Sequence, residues 1–246
     1  MANILKSRIL EQSTKHSIKS LSLFFPAYND EHNIEKVVDQ ALSVIDDLGI
    51  TQYEIILIED GSPDNTDTIV DNLASKHDHV KAIHHTKNLG YGKTLKEGFL
   101  SAKHDWIFYS DGDNQFLISE LSKLIVHAKK KTIVIGHRDK KQYQPLRKIN
   151  SYYYNLLITK LFKLQIKDVN CAFKLIPKEL IDSISITSKQ GFIDGEIIIK
   201  ALSLGYDIVE IEVTHLPRKN GEASGGRINV IVETFIETLR YWIKRD

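Results

Sequence analysis

Short apolar runs alternate along the chain with segments whose apolar positions recur every third or fourth residue. The runs at 21–25, 53–58, 80–84, 106–109 and 132–135 read as strands, apolar throughout as strands covered on both faces are. Between them Ile34, Val37, Val38, Ala41, Leu42 and Ile45 mark a helix that Gly49 ends, and helices follow over 66–75, about 93–102 and roughly 118–129. Pro26 is expected to stop the first strand. Strand and helix in alternation predict an α/β protein with a parallel sheet between two helical layers. After residue 136 the pattern loosens. A charged stretch at 138–148 precedes an amphipathic helix at 152–164, a strand-like stretch at 168–176, a helix at 193–204, an alternating strand at 207–214 and a glycine-rich loop at 215–226. The last helix carries Ile228, Ile231, Val232, Phe235, Leu239 and Trp242 on one face. Residues 1–20 read as a polar leader and 21–246 as one domain without linker composition or repeats.

Composition sets limits on this picture. With 246 residues, 42% hydrophobic and 26% charged, the chain has ample material for a globular core. Its single cysteine, Cys171, excludes an internal disulfide, and the histidines show no zinc-ligand spacing. Lys6, Arg8, Glu11 and Lys15 break any signal-peptide core, and no run approaches the ~18 apolar residues of a membrane span. A cytoplasmic, soluble or membrane-peripheral protein with no nucleic-acid partner is expected. Formal net charge is +1, yet residues 1–127 carry 12 basic and 19 acidic side chains, and 128–246 carry 21 and 13. An acidic half suits a metal ion; a basic half suits phosphates or an anionic membrane surface.

The strand at 106–109 runs into Ser110-Asp111-Gly112-Asp113-Asn114-Gln115. Ligands of open α/β sheets bind beyond the carboxyl ends of the strands, and two acids there repel unless a cation lies between them. A hard divalent ion held by one or two carboxylates, with phosphates and water, fits; a plain turn fits too. Asp60, ending the strand at 53–58, reads as a cap or as an acceptor for a nucleobase or ribose, and the topology brings it to the same edge as Asp111. Asn88-Leu89-Gly90-Tyr91-Gly92-Lys93-Thr94 fails two nucleotide fingerprints: Lys87 stands where a phosphate loop needs glycine, and Leu95 where a dinucleotide motif needs its third. A glycine turn opening a helix still offers free amides to an anion.

Taken in order, Pro26-Ala27-Tyr28-Asn29-Asp30-Glu31, Glu59-Asp60-Gly61-Ser62-Pro63-Asp64-Asn65-Thr66, Asn88-Leu89-Gly90 and Asp111-Gly112-Asp113-Asn114-Gln115 resemble glycosyltransferase family 2. Gly136-His137-Arg138, Arg147, Asp168 to Lys174, Gly191 to Glu196, and His215-Leu216-Pro217-Arg218 with Gly221 and Ser224 extend the resemblance to about residue 226. Its dolichyl-phosphate mannosyltransferase-like branch, which uses polyprenyl-phosphate acceptors, matches best. The resemblance implies a GT-A fold with a Rossmann-like, mostly parallel sheet, a UDP- or GDP-sugar donor, Mg²⁺ or Mn²⁺, and inversion at the anomeric carbon. It implies nucleotide contacts at Pro26, Tyr28, Glu31, Asp60, Asn88 and Gly90, and metal and diphosphate binding at Asp111 and Asp113 with Gln115 as a further ligand. It also implies acceptor-phosphate contacts at Arg138, Arg147 and Ser151, and closure of Arg218 over the donor diphosphate. Residues 21–136 would then form the nucleotide-sugar half and 137–246 the acceptor half. Three departures stand out: Ala172 replaces a usual glycine, Gly225 follows Ser224 where that branch has lysine, and no transmembrane tail is expected.

The acceptor decides what else the site needs. A lipid phosphate is already an anion and needs only orientation, which planar guanidiniums supply; residues 128–148 hold eight basic residues against Asp139 alone. A saccharide or other hydroxyl acceptor needs a general base, for which Asp194 and Glu196 are the candidates. A non-catalytic nucleotide-sugar-binding protein is the third reading. His215 reads as a metal or phosphate ligand or as a satisfied strand-end histidine. Tyr152, Tyr153, Tyr154, Leu156, Leu157 and Leu161, with Tyr241-Trp242-Ile243-Lys244-Arg245, suit a peripheral contact at the cytoplasmic membrane face, or else core packing or a homodimer contact.

Overall fold

A computed structural model describes residues 18–138, 145–218 and 228–244, with only the backbone for 145–148, 228 and 229. Most of the expected leader therefore lies outside the described residues, as do Gly221 and Ser224. Seven strands build one sheet: β1 (Ser20–Ala27), β2 (Gln52–Glu59), β3 (Val80–His84), β4 (Trp106–Ser110), β5 (Thr132–Arg138), β6 (Phe173–Pro177) and β7 (Asp207–Val213). Their spatial order is β3-β2-β1-β4-β6-β5-β7. Every residue of β1 is buried, as its largely apolar run predicts for a central strand with helices on both sides, and Ser22, the polar side chain inside that run, donates to Glu54.

The helices are α1 (Ile34–Leu48), α2 (Thr66–Lys76), α3 (Tyr91–Ser101), α4 (Leu121–Ile125), α5 (Pro145–Phe162), α6 (Lys178–Ser183), α7 (Ile193–Ser203) and α8 (Ile228–Ile243). In α1 the expected stripe of Ile34, Val37, Val38, Ala41 and Ile45 is buried, and Gly49 closes it in the left-handed conformation that glycine adopts without cost. Among the described residues no helix is long and apolar enough to cross a membrane.

From β1 the chain first adds β2 and β3 on one side, then returns to add β4 on the other. The carboxyl ends of β1 and β4 thus flank a switch point where loops diverge and leave a crevice. β6 is antiparallel to both β4 and β5. Its first residue, Phe173, pairs with Ser110 at the end of β4, so the turn 168–172 also borders that crevice.

Four local expectations are corrected. Pro26 does not stop β1, because its carbonyl accepts from Gly112 beyond the last β1–β4 pair, Phe24 with Tyr109, where no proline N–H is needed. The helix expected to reach about 129 ends at Ile125; Thr132 then caps a turn on Lys129, and Lys131 takes a left-handed φ of 56°. The strand expected from 168 begins only at Phe173. Helix α5 starts at Pro145, a residue preset for the first helical position.

Candidate active site

A cleft of about 510 Å³ opens at the switch point. One wall is two loops laced together. After β1 the N–H groups of Asn29, Asp30 and Glu31 donate to Ser62 Oγ, Thr66 Oγ1 and Asp64 Oδ2 of the loop after β2, and Glu31 Oε2 accepts from Asn65 N. That β2 loop curls back because Glu59 accepts the N–H groups of Gly61 and Ser62. Gly61 has φ +66°, and a Cβ there would sit 2.4 Å from the Lys87 carbonyl carbon, so only glycine lets the loop meet residues 87–88.

Pro26, Tyr28, Asp60, Asn88 and Gly90 all line the cleft as expected, together with Tyr91 at the start of α3. Asp60 is buried, and its carboxylate accepts the N–H of Leu89 (2.8 Å) and of Gly90 (3.0 Å). Glu31 is not among the lining residues. Its carboxylate binds Asn65 and so acts on the wall from behind.

Asp111 and Asp113 face the cleft on either side of Gly112. A Cβ on Gly112 would lie 2.7 Å from the Pro26 carbonyl oxygen, which explains the glycine between the acids. The Tyr91 hydroxyl donates to Asp111 Oδ1 (3.0 Å). Burial first, then Asp113, pushes Asp111 up to about 7 against that hydrogen bond. Asp30, overlooked in the sequence although it stands in the first motif, lines the same space and is pushed up to about 6 by burial and then by Asp113. Arg218 reaches over these acids, with Nη2 3.1 Å from Asp30 Oδ1 and Nη1 4.0 Å from Asp113 Oδ2. Carboxylates crowded enough to retain protons make a fitting seat for a divalent cation. Among the described residues no group of three or more His, Cys, Asp or Glu side chains could hold a metal ion by itself.

The two further ligand candidates are placed elsewhere. The bridge between Phe116 and His215 draws both neighbours away from the cleft: Gln115 Nε2 donates to the Leu216 carbonyl, and the buried His215 ring packs edge-on against Phe116. Neither lines the cleft.

On the opposite wall stand Arg138, Ser151, Asn170 and Asp194. Arg138 forks onto Asp168, Nε to Oδ2 at 2.6 Å and Nη2 to Oδ1 at 2.7 Å, and also donates to the Asn170 carbonyl. This pair bolts the turn 168–172 to the end of β5. Asn170 lines the cleft, and its Oδ1 is buried with no hydrogen-bond partner among the described residues. The Arg147 side chain lies outside the described residues. Lys129, Lys130 and Lys131 sit at the far end of β5, seven residues or ~20 Å from Arg138, so the basic run is not one patch.

The two base candidates separate cleanly. Asp194 lines the cleft but is buried against Lys174, whose Nζ lies 2.7 Å from Oδ1, and the Tyr109 hydroxyl donates to the same oxygen. Glu196 is fully buried and absent from the cleft; it accepts from Thr187, Ser188 and Lys200, which holds its pKa down despite burial. Its proximity in sequence to Asp194 misled, because α7 turns the two residues to different sides.

Residues 22–185 match the family model described as glycosyl transferase family 2. A dolichyl-phosphate beta-glucosyltransferase of Trichomonas vaginalis is 29% identical over 206 residues, covering 76% of this chain and 61% of the relative. A glycosyltransferase of Haloferax volcanii is 26% identical, over 90% of this chain and 37% of its own length. An undecaprenyl-phosphate 4-deoxy-4-formamido-L-arabinose transferase of Proteus mirabilis is 28% identical, with 89% and 67% covered. The chain thus spans less than two thirds of the first two of these. Glucosyl-3-phosphoglycerate synthase from Mycobacterium tuberculosis, solved in complex with Mn²⁺, uridine-diphosphate and phosphoglyceric acid, superposes with a TM-score of 0.70 at 17% identity, covering 95% of this chain and 81% of that one.

Proposed function

The chain belongs to glycosyl transferase family 2 and has a GT-A fold, and from that premise we propose that it moves a sugar from a nucleotide-sugar to a polyprenyl phosphate. The acceptor class rests on one observation above others: of the two base candidates, Asp194 and Glu196, only Asp194 lines the cleft, and it is already held by Lys174 and Tyr109. Its Oδ1 is thus engaged by two donors from the core, and a phosphate acceptor requires no base. The names of the dolichyl-phosphate and undecaprenyl-phosphate relatives agree with that choice.

Asp60 and the amides opening α3 would receive the nucleoside, and the positive end of α3 favours its phosphates. Asp111 and Asp113 would hold Mg²⁺ or Mn²⁺, which supplies Lewis-acid stabilisation to the departing diphosphate, worth several kcal/mol. Arg218 adds fixed positive charge above the same point and shields it from water. Arg138, held by Asp168 in the cleft wall beside Ser151, would lend its positive charge to the acceptor phosphate.

Helices α5 and α8 pack together next to this wall. Tyr154 turns inward onto Phe235, ring centroids 5.2 Å apart, but Ile149, Tyr152, Tyr153, Val232, Ile236 and Trp242 remain exposed. A peripheral contact of that apolar face with the membrane would carry a lipid-linked acceptor to the cleft.

Radiolabelled UDP- and GDP-sugars offered with a polyprenyl phosphate in detergent test the proposal. Label entering the organic phase is expected, and Asp113→Asn should abolish turnover while leaving the melting curve cooperative. Label that stays in water and appears on a soluble saccharide would overturn the lipid acceptor.

A further inference from the structure

β3 ends at His84, and the next residue sets its ring between two acids. His85 Nδ1 lies 2.6 Å from Asp60 Oδ1, and Nε2 lies 2.6 Å from Glu97 Oε2 on α3. The ring and Asp60 are buried, whereas the Glu97 side chain is 41% exposed. An ionised carboxylate can only accept, and a neutral imidazole carries one N–H. Both contacts are therefore satisfied together only by an imidazolium protonated on both nitrogens. Burial opposes the charged ring, but hydrogen bonds and charge from Asp60 and Glu97 outweigh it, and the pKa of His85 is raised.

Asp60 is itself part of the cleft and also grips the N–H groups of Leu89 and Gly90, so ring, carboxylate and the turn opening α3 form one unit. We propose that His85, as an imidazolium, is a positioning residue that fixes Asp60, offsets its charge and thereby sets the affinity for the donor nucleotide. This inference rests on the proposed contact between Asp60 and that nucleotide.

When the ring loses a proton, one of its two contacts becomes lone pair against lone pair. Glu97 has water to turn to; Asp60 does not. Asp60 is then left as an uncompensated anion facing an anionic ligand, and nucleotide affinity falls as pH rises through the pKa of His85. Among the described residues of the cleft Asp111 and Asp30 also titrate, at about 7 and about 6, so the share of the pH dependence owed to His85 is the share that its replacement removes. The adjacent His84 is turned to Asp71 (2.8 Å) and Glu59 (3.8 Å), and Lys96 of α3 donates to the Ile186 carbonyl.

Calorimetric titration of the full chain with UDP and with GDP, each with Mn²⁺, between about pH 6 and 9 tests this, beside ¹⁵N NMR of the imidazole. The wild type should bind one nucleotide, lose affinity toward high pH relative to its His85 variants, and show two ring protons near neutrality. His85→Leu should weaken binding about tenfold near neutrality, the worth of one charge-assisted hydrogen bond, remove the falling component of the pH profile and leave kcat at saturating donor unchanged. His85→Asn, which keeps an N–H toward Asp60, should recover most of the affinity and also lack the falling component. Should the leucine variant not fold, the difference between the wild-type and asparagine profiles decides. Unchanged affinity in a folded His85→Leu, a His85→Asn profile parallel to the wild type's, or a singly protonated ring overturns the role of His85 while the donor reading stands. A wild type that binds neither nucleotide overturns both.

Discussion

At the scale of single residues, the acids of the cleft carry the clearest consequence. The folded-state pKa values of Asp111 and Asp30, about 7 and about 6, lie above the ordinary carboxylate value. Between roughly pH 4 and those values the folded chain holds protons that the unfolded chain has released, so stability falls as pH rises through that window. A cation competes with the same protons. Added Mg²⁺ or Mn²⁺ should therefore raise the melting temperature more at pH 8 than at pH 5, and Asp111→Asn should both remove that gain and flatten the fall; melting curves with chelator and with metal measure it. Sequence reading reached Asp60, Asp111 and Asp113 because each terminates or follows an apolar run. It did not separate Asp194 from Glu196, or Gln115 from a ligand, since only the packed chain shows whether a polar side chain meets the cleft or a neighbouring N–H.

At the scale of elements, β6 made the difference between expectation and structure. An apolar run carries no direction, so the sequence announces a strand near 173 but not that it runs against β4 and β5. The end of α1 and the parallel β1, β2 and β4 were legible because a capping glycine and largely apolar runs leave few alternatives. β6 also brings Lys174 into the core beneath Asp194. Replacing one partner strands a buried charge, at about 3–5 kcal/mol. Lys174→Met should therefore lower the melting temperature by about 10 °C in a chain of this size, and Lys174→Met with Asp194→Leu should recover most of the loss. Thermal unfolding of the two variants checks both statements. Similarly, Gly112→Ala should cripple transfer with less effect on global unfolding, because its Cβ would collide with the Pro26 carbonyl where the two acids are set.

At the scale of the whole molecule, the acidic half of the sequence supplies the acidic wall of the cleft through Asp30, Asp60, Asp111 and Asp113, whereas the opposite wall balances Arg138 against Asp194 and Glu233. The acidic wall comes from β1, β2 and β4, and the opposite wall from β5, α5 and the turn before β6. If the exposed face of α5 and α8 meets a bilayer, Trp242 and Tyr152 lie in that contact, each about half exposed or more at 45% and 63%. Cosedimentation with anionic vesicles should then fall several-fold in Tyr152→Ser with Trp242→Ser, while nucleotide binding stays unchanged. Unaltered sedimentation would assign the face to another chain.

Because β6 runs opposite to its neighbours, the segment that feeds it borders the cleft, and the one that leaves it emerges at the far edge, where Lys178 donates to the Asp105 carbonyl. Loop exchange between relatives obeys this polarity. Transplanting 163–172 should alter the wall proposed to meet the acceptor, whereas transplanting α6 at 178–183 should leave acceptor choice untouched.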